Sequence, residues 1–117
     1  MIISKLQSLT ELSLGLENDI NEYSDSVCAL KNLSVLRISN TSAEEISDWI
    51  GNLQSLNKLK IGRCKNIKTL PESIGNLHSL KYIHLSFNKE FTILPDSIFK
   101  LKNLTILEIN HSSSAGT

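Results

Sequence analysis

Twenty positions of this chain are restricted to two residue types at one recurring spacing. Leu6, Leu9, Leu12 and Leu14 form a first set, and Leu30, Leu33, Leu36 and Ile38 a second. Leu53, Leu56, Leu59 and Ile61 form the third, Leu77, Leu80, Ile83 and Leu85 the fourth, and Leu101, Leu104, Leu107 and Ile109 the fifth. The first members lie 24, 23, 24 and 24 residues apart. Within each set the steps are 3, 3 and 2, which is the period of neither a helix nor a lone strand. The two-residue step places two side chains on one face of a short strand. The three-residue steps are bends that bring the chain round again. One such turn cannot bury its apolar side alone, whereas stacked turns share a continuous core. The spacing predicts an α/β solenoid: a right-handed β-α coil of about five repeats of 23–24 residues, with a parallel sheet inside the curve.

The segments that return to the next strand repeat as well. Ile20, Tyr23 and Val27 match Ile67, Leu70 and Ile74, and again Phe91, Leu94 and Ile98. The second repeat is one residue short after Ile38. Restoring its register there places Asn40, Ala43, Ile46 and Ile50 inward. Asn40, Cys64 and Asn88 then hold the position that ends each strand, where an inward amide can pair the backbone of the bend and Cys is a small buried substitute. Glu17 and Ser112 hold it in the outer repeats. Pro71 and Pro95 are expected to open short helical turns. Ser42 and Glu45 stand at capping-box spacing and predict about two turns of helix over Ala43–Trp49. A short helix is also expected in the first return segment. Residues 1–111 form the repeat domain, and the small polar residues 112–117 a flexible tail.

Composition narrows the function classes. Twelve basic and twelve acidic residues cancel, so no bulk field favours nucleic acid or an acidic membrane surface. Nothing approaches 18 consecutive apolar residues, and the N-terminus does not read as a signal peptide. Cys28 and Cys64 occupy non-equivalent repeat positions. They predict no disulfide, which suits a reducing, cytoplasmic setting.

The run LKIGRCKNIKTLPESIGNLHSLKYIHLSFN resembles the leucine-rich repeats of intracellular proteins. Plant resistance receptors, Ras-binding repeat scaffolds and several bacterial effectors share LPxxIGxLxxLxxLxL. The resemblance covers nearly the whole chain. It implies a horseshoe that binds protein, with no intrinsic chemistry. It also admits a second role, as the sensing or recruiting arm of a larger enzyme or receptor, such as an effector ligase or an immune receptor. Neither end shows an obvious capping module, and Ile3, Leu6 and Leu9 at one end and Leu104, Leu107 and Ile109 at the other read as uncovered. Either the chain is a fragment or another molecule covers these ends, self-association being one way to do so.

Side chains between the inward strand positions face out of the concave surface. The central column reads Ser13, Arg37, Lys60, His84, Glu108, and its neighbour Glu11, Val35, Lys58, Tyr82, Ile106. Gly15, Ser39, Gly62, Ser86 and Asn110 lie on the far side and leave room for close approach. A neutral chain thus gathers Arg37, Lys58, Lys60 and His84 on one face, with Arg63 at its edge. Tyr82, Val35 and Ile106 add apolar area, and Phe87 extends it. A mixed basic and aromatic patch suits a protein partner with an acidic segment. A nucleic-acid binder would use the same column, but zero net charge and few stacking rings oppose it.

Trp49 aligns with Ser73 and Ser97 on the outer wall, either lying over neighbouring repeats or exposed as a second anchor. His78, His84 and His111 lack carboxylates at ligand spacing, so no metal site is expected. No glycine-rich phosphate loop or activated thiol is present, so neither a cofactor nor an enzymatic activity is predicted. Glu44, Glu45 and Asp48 read as a solvated convex face.

Overall fold

The computed structural model describes residues 2–15, 19–86 and 93–110. Five parallel strands form one sheet in chain order: β1 (Glu11–Leu14), β2 (Val35–Ser39), β3 (Lys58–Gly62), β4 (Tyr82–Ser86) and β5 (Ile106–Asn110). Each register follows the repeat. Leu36 pairs with Leu59, Leu59 with Ile83, and Ile83 with Leu107. Inward side chains therefore stack in columns, and Leu36, Leu59 and Ile83 are all fully buried. The fold is a leucine-rich repeat solenoid with its parallel sheet on the concave side.

The chain enters each strand through a repeated backbone ladder. The Ser34 N–H donates to Thr10 O at 2.7 Å, Asn57 N–H to Ser34 O at 2.7 Å, Lys81 N–H to Asn57 O at 2.8 Å, and Thr105 N–H to Lys81 O at 2.9 Å. Side chains add a second rail just before it. Asn32 Nδ2 donates to Gln7 O at 3.1 Å, Ser55 Oγ to Lys31 O at 2.9 Å, and Asn103 Nδ2 to His78 O at 2.7 Å. These bonds satisfy the polar backbone of bends whose apolar side is buried.

Among the described residues, helical content on the return side is almost entirely 3-10. Such turns span Ile20–Tyr23, Asp48–Asn52, Glu72–Asn76 and Asp96–Lys100, and another covers Ile2–Lys5. One α-helix, α1 (Ser24–Cys28), continues the first of them. Pro71 and Pro95 stand at the caps of their turns in extended conformation, with ψ of 155° and 150°. They start the turns from one residue outside, where a missing N–H costs nothing.

Two expectations for the second repeat are corrected. Asn40 is exposed and points away from the core, while Thr41 is buried, 5% exposed. Thr41, three residues after Ile38, stands where Cys64 stands after Ile61. Asn40 instead matches Arg63, and both have left-handed backbone, φ 60° and 56°. The missing residue thus falls between Thr41 and Ala43. The Thr41 hydroxyl bridges this shortened bend, accepting the Ile20 N–H at 2.9 Å and the Ala43 N–H at 3.3 Å.

The second correction is that Ala43–Trp49 is not helical; only Asp48–Asn52 makes a turn. The backbone there is bound sideways to the first repeat. Asn21 Nδ2 donates to Glu45 O at 2.8 Å, and Asn21 Oδ1 accepts the Ser47 N–H at 2.9 Å. Those groups are not spent on helical bonds. Ala43, Ile46 and Ile50 still point inward, at 4%, 2% and 1% exposure.

The two ends differ. Ile3, Leu9 and Leu12 pack partly buried against the core, so only Leu6 of the expected N-terminal set is exposed. At the other end Leu104 is partly buried, whereas Leu107 and Ile109 are exposed. The readings for Glu17, Phe87, Asn88, Phe91, His111 and Ser112, and for the tail 112–117, lie outside the described residues.

Candidate functional site

The pleat of a parallel sheet turns alternate residues outward. Register then aligns them across strands. Ser13 lies beside Arg37, Arg37 beside Lys60, Lys60 beside His84, and His84 beside Glu108. The adjacent column runs Glu11, Val35, Lys58, Tyr82 and Ile106. All eight residues singled out from the sequence thus lie on or beside one face. Seven stand in the strands, and Arg63 follows β3 in its left-handed turn.

The face is internally tied. Lys58 Nζ lies 5.1 Å from the centre of the Tyr82 ring and Lys60 Nζ 5.9 Å, a cation–π arrangement on an exposed sheet. The His84 ring stacks beside Tyr82 at 6.2 Å between centroids, and His84 Nε2 is 2.9 Å from Asn110 Nδ2. Two acidic residues at the flanks take partners within the face. Arg37 Nη1 is 3.3 Å from Glu11 Oε1, and the Tyr82 hydroxyl donates to Glu108 Oε1. The hydrogen bond to Glu108 raises the Tyr82 phenol above its ordinary pKa, with desolvation and the Glu108 charge as lesser causes.

Strand order explains the resulting charge pattern. The acids sit on β1 and β5, and the cations Arg37, Lys58 and Lys60 on β2 and β3. The sequence columns contained Glu11 and Glu108, but the links to Arg37 and Tyr82 depend on side-chain rotamers, which spacing does not encode. Beside the central column, Ser39, Gly62 and Ser86 line a depression of about 350 Å³ together with Arg37, Lys60, Arg63 and His84. A Cβ at Gly62 would meet Ser86 Oγ at 3.1 Å, so only glycine leaves this floor open without displacing the hydroxyl.

The other candidates resolve differently. Trp49 is half-buried on the outer wall, and its Nε1–H donates to Asn21 Oδ1 at 2.7 Å. It is a ring fastened across the first two repeats, not a free anchor. Cys28 is partly buried and Cys64 buried, and neither is in a disulfide. Desolvation raises both thiols above their ordinary pKa, which disfavours the nucleophilic thiolate. Among the described residues no cluster of metal-ligating side chains occurs, and no helix is long and apolar enough to cross a membrane.

Solved structures share this architecture. The leucine-rich repeat protein LIC12759 of Leptospira interrogans is 31% identical, with a TM-score of 0.79 over 92% of this chain and 27% of its own. The leucine-rich repeat domain of the type III effector XopL is 24% identical, with a TM-score of 0.68 over 86% of this chain and 35% of its own, a likeness of fold alone. The plant peptide hormone receptor RGFR1, solved with RGF2, is 26% identical with a TM-score of 0.58, over 92% of this chain and 21% of its own. The chain therefore spans roughly a third or less of each of these proteins. No curated protein matches. The model of the R13L1/DRL21 leucine-rich repeats matches residues 2–88, about three quarters of the sequence, and the chain belongs to that family.

Proposed function

We propose that this chain is a protein-interaction module that holds an acidic segment of a partner against its concave sheet. The observation that carries the reading is the band of Arg37, Lys58 and Lys60 on two adjacent central strands, with Tyr82 beside it, in a chain of zero net charge. The strands fix the backbone positions of these residues before binding, so no backbone ordering is needed on association. Tyr82, Val35 and Ile106 supply apolar area, and the cations select partners and speed encounter. Exposed charges of this kind give salt-sensitive binding.

The test is a selection of displayed random peptides on the immobilised protein, followed by fluorescence anisotropy with the enriched sequences. Peptides rich in Asp and Glu are expected. Arg37→Glu with Lys60→Glu should weaken them at least about tenfold, roughly 1.4 kcal/mol, with an unchanged circular dichroism spectrum. Unchanged affinity, or enrichment without acidic residues, would sink the reading.

A second role is compatible with the first: this module is the recognition arm of a larger enzyme or receptor. Its support is that the chain spans only part of its structural neighbours, which include an effector domain and a peptide hormone receptor. A cytoplasmic setting forms part of the proposal, supported by two free thiols.

A further inference from the structure

We propose that the depression between β2, β3 and β4 is a site for a phosphate monoester, and that it receives a phosphorylated side chain of the partner segment. This rests on the reading that the concave face binds protein. It adds the chemical group at the centre of the contact.

Four basic residues line the depression: three in the central column and one in the turn beside it. Arg37 and Lys60 are register neighbours, Lys60 and His84 are the next pair, and Arg63 closes the side from the turn after β3. Four cationic or protonatable residues around one depression suit a compact anion with several acceptor oxygens. The floor adds small hydroxyl donors. Ser39 and Ser86 line it on either side of Gly62, whose missing side chain opens the space between them.

Among the described residues, no carboxylate lines the depression. The two acids of the strand columns are held at its flanks, Glu11 by Arg37 and Glu108 by Tyr82. Arg37 meets Glu11 through Nη1, and its guanidinium carries further N–H donors for a second anion. Lys58 and Lys60 both reach toward the Tyr82 ring, but only Lys60 lines the depression, from where its long side chain can turn to an anion. The geometry also selects the carrier. A flat bilayer does not follow a concave surface inward, whereas an extended peptide crosses the strands and lowers one side chain into the depression.

The first probe is inorganic phosphate, titrated into ¹⁵N-labelled protein. Amide shifts at Ser39, Gly62, Arg63 and Ser86 are expected to saturate. The second is a fluorescein-labelled short peptide of Glu and Ala with phosphoserine, Glu or Ser at its centre. Phosphoserine should bind at least about tenfold tighter than Glu, because of its second charge and third acceptor oxygen. Lys60→Ala with Arg63→Ala should erase that preference, whereas Lys58→Ala should weaken the phosphoserine and Glu peptides alike and so keep it. Equal binding of the phosphoserine and Glu peptides, both lost in Arg37→Glu with Lys60→Glu, overturns the phosphate site and leaves acidic-peptide binding standing. Binding of neither peptide overturns both readings. A phosphoserine preference that survives Lys60→Ala with Arg63→Ala overturns the location. Capture by phosphatidylcholine vesicles carrying phosphatidylinositol 4-phosphate, with no phosphopeptide preference, overturns the peptide as carrier.

Discussion

At the scale of single residues, the contact between Tyr82 and Glu108 has a readable consequence. The hydrogen bond and the carboxylate charge both favour the neutral phenol, so Tyr82 ionises above the ordinary tyrosine range. Because the folded pKa is raised, this contact stabilises the fold below the ordinary value of about 10, and the contribution disappears as pH climbs through the raised one. An ultraviolet phenolate titration of wild type against Tyr82→Phe isolates the group. Glu108→Ala should move its transition to lower pH; an unmoved transition would mean that the two side chains do not meet in solution. The residue scale also shows what a sequence hides. Asn40 was expected inward because asparagine is a good donor for a bend. The missing residue falls after Thr41 and not directly after Ile38, and the Thr41 hydroxyl closes the bend by accepting two N–H groups. An exposed Asn in left-handed backbone looks the same in sequence as an inward one, since asparagine suits both positions.

At the scale of elements, the 3-10 turns pack closely across the convex side, and two glycines set the distance. A Cβ at Gly51 would lie 2.8 Å from Ser73 Cβ and the Ser73 carbonyl oxygen, and one at Gly75 would lie 2.8 Å from Ser97 O. Both meet backbone, which cannot swing aside. Gly51→Ala and Gly75→Ala should each destabilise the fold by about 1–3 kcal/mol, as overpacking does, read from the urea midpoint. A neutral or stabilising result at Gly51 would show that neighbouring turns slide freely. The strands and their register were legible because buried Leu and Ile report periodicity directly. The expected helix over Ala43–Trp49 was not found. A capping-box spacing describes local preference, and here Asn21, from the preceding repeat, takes the groups a helix would need.

At the scale of the whole molecule, each turn is stabilised mainly by its neighbours. Leu59 and Leu107 hold the same register position, yet Leu59 has strands on both sides and is fully buried, while Leu107 lies on the outermost described strand and is 41% exposed. Leu59→Ala should cost about 2–5 kcal/mol. Leu107→Ala should cost less than about 1 kcal/mol, since much of its surface already meets water. Equal losses in chemical denaturation would mean that β5 is covered in solution, by a second copy or by further chain. The positions of the concave residues were legible at this scale, because register is a property of the repeat. The depression was not: it depends on the rotamers of the basic side chains that line it and on a left-handed turn at Arg63.

The ladder of bonds between successive strands has a mechanical meaning. Hydrogen bonds such as Asn57 N–H to Ser34 O, or Ser55 Oγ to Lys31 O, tie a turn to the one before it and to nothing more distant. Among the described residues each strand pairs only with its neighbours in chain order, so tension applied along the stack meets the bonds between turns a few at a time. The molecule would lengthen like a coil being paid out, releasing roughly 80 Å of extended chain with each turn that peels away. A partner seated across β2, β3 and β4 would bridge three turns at once and act as a brake on that extension.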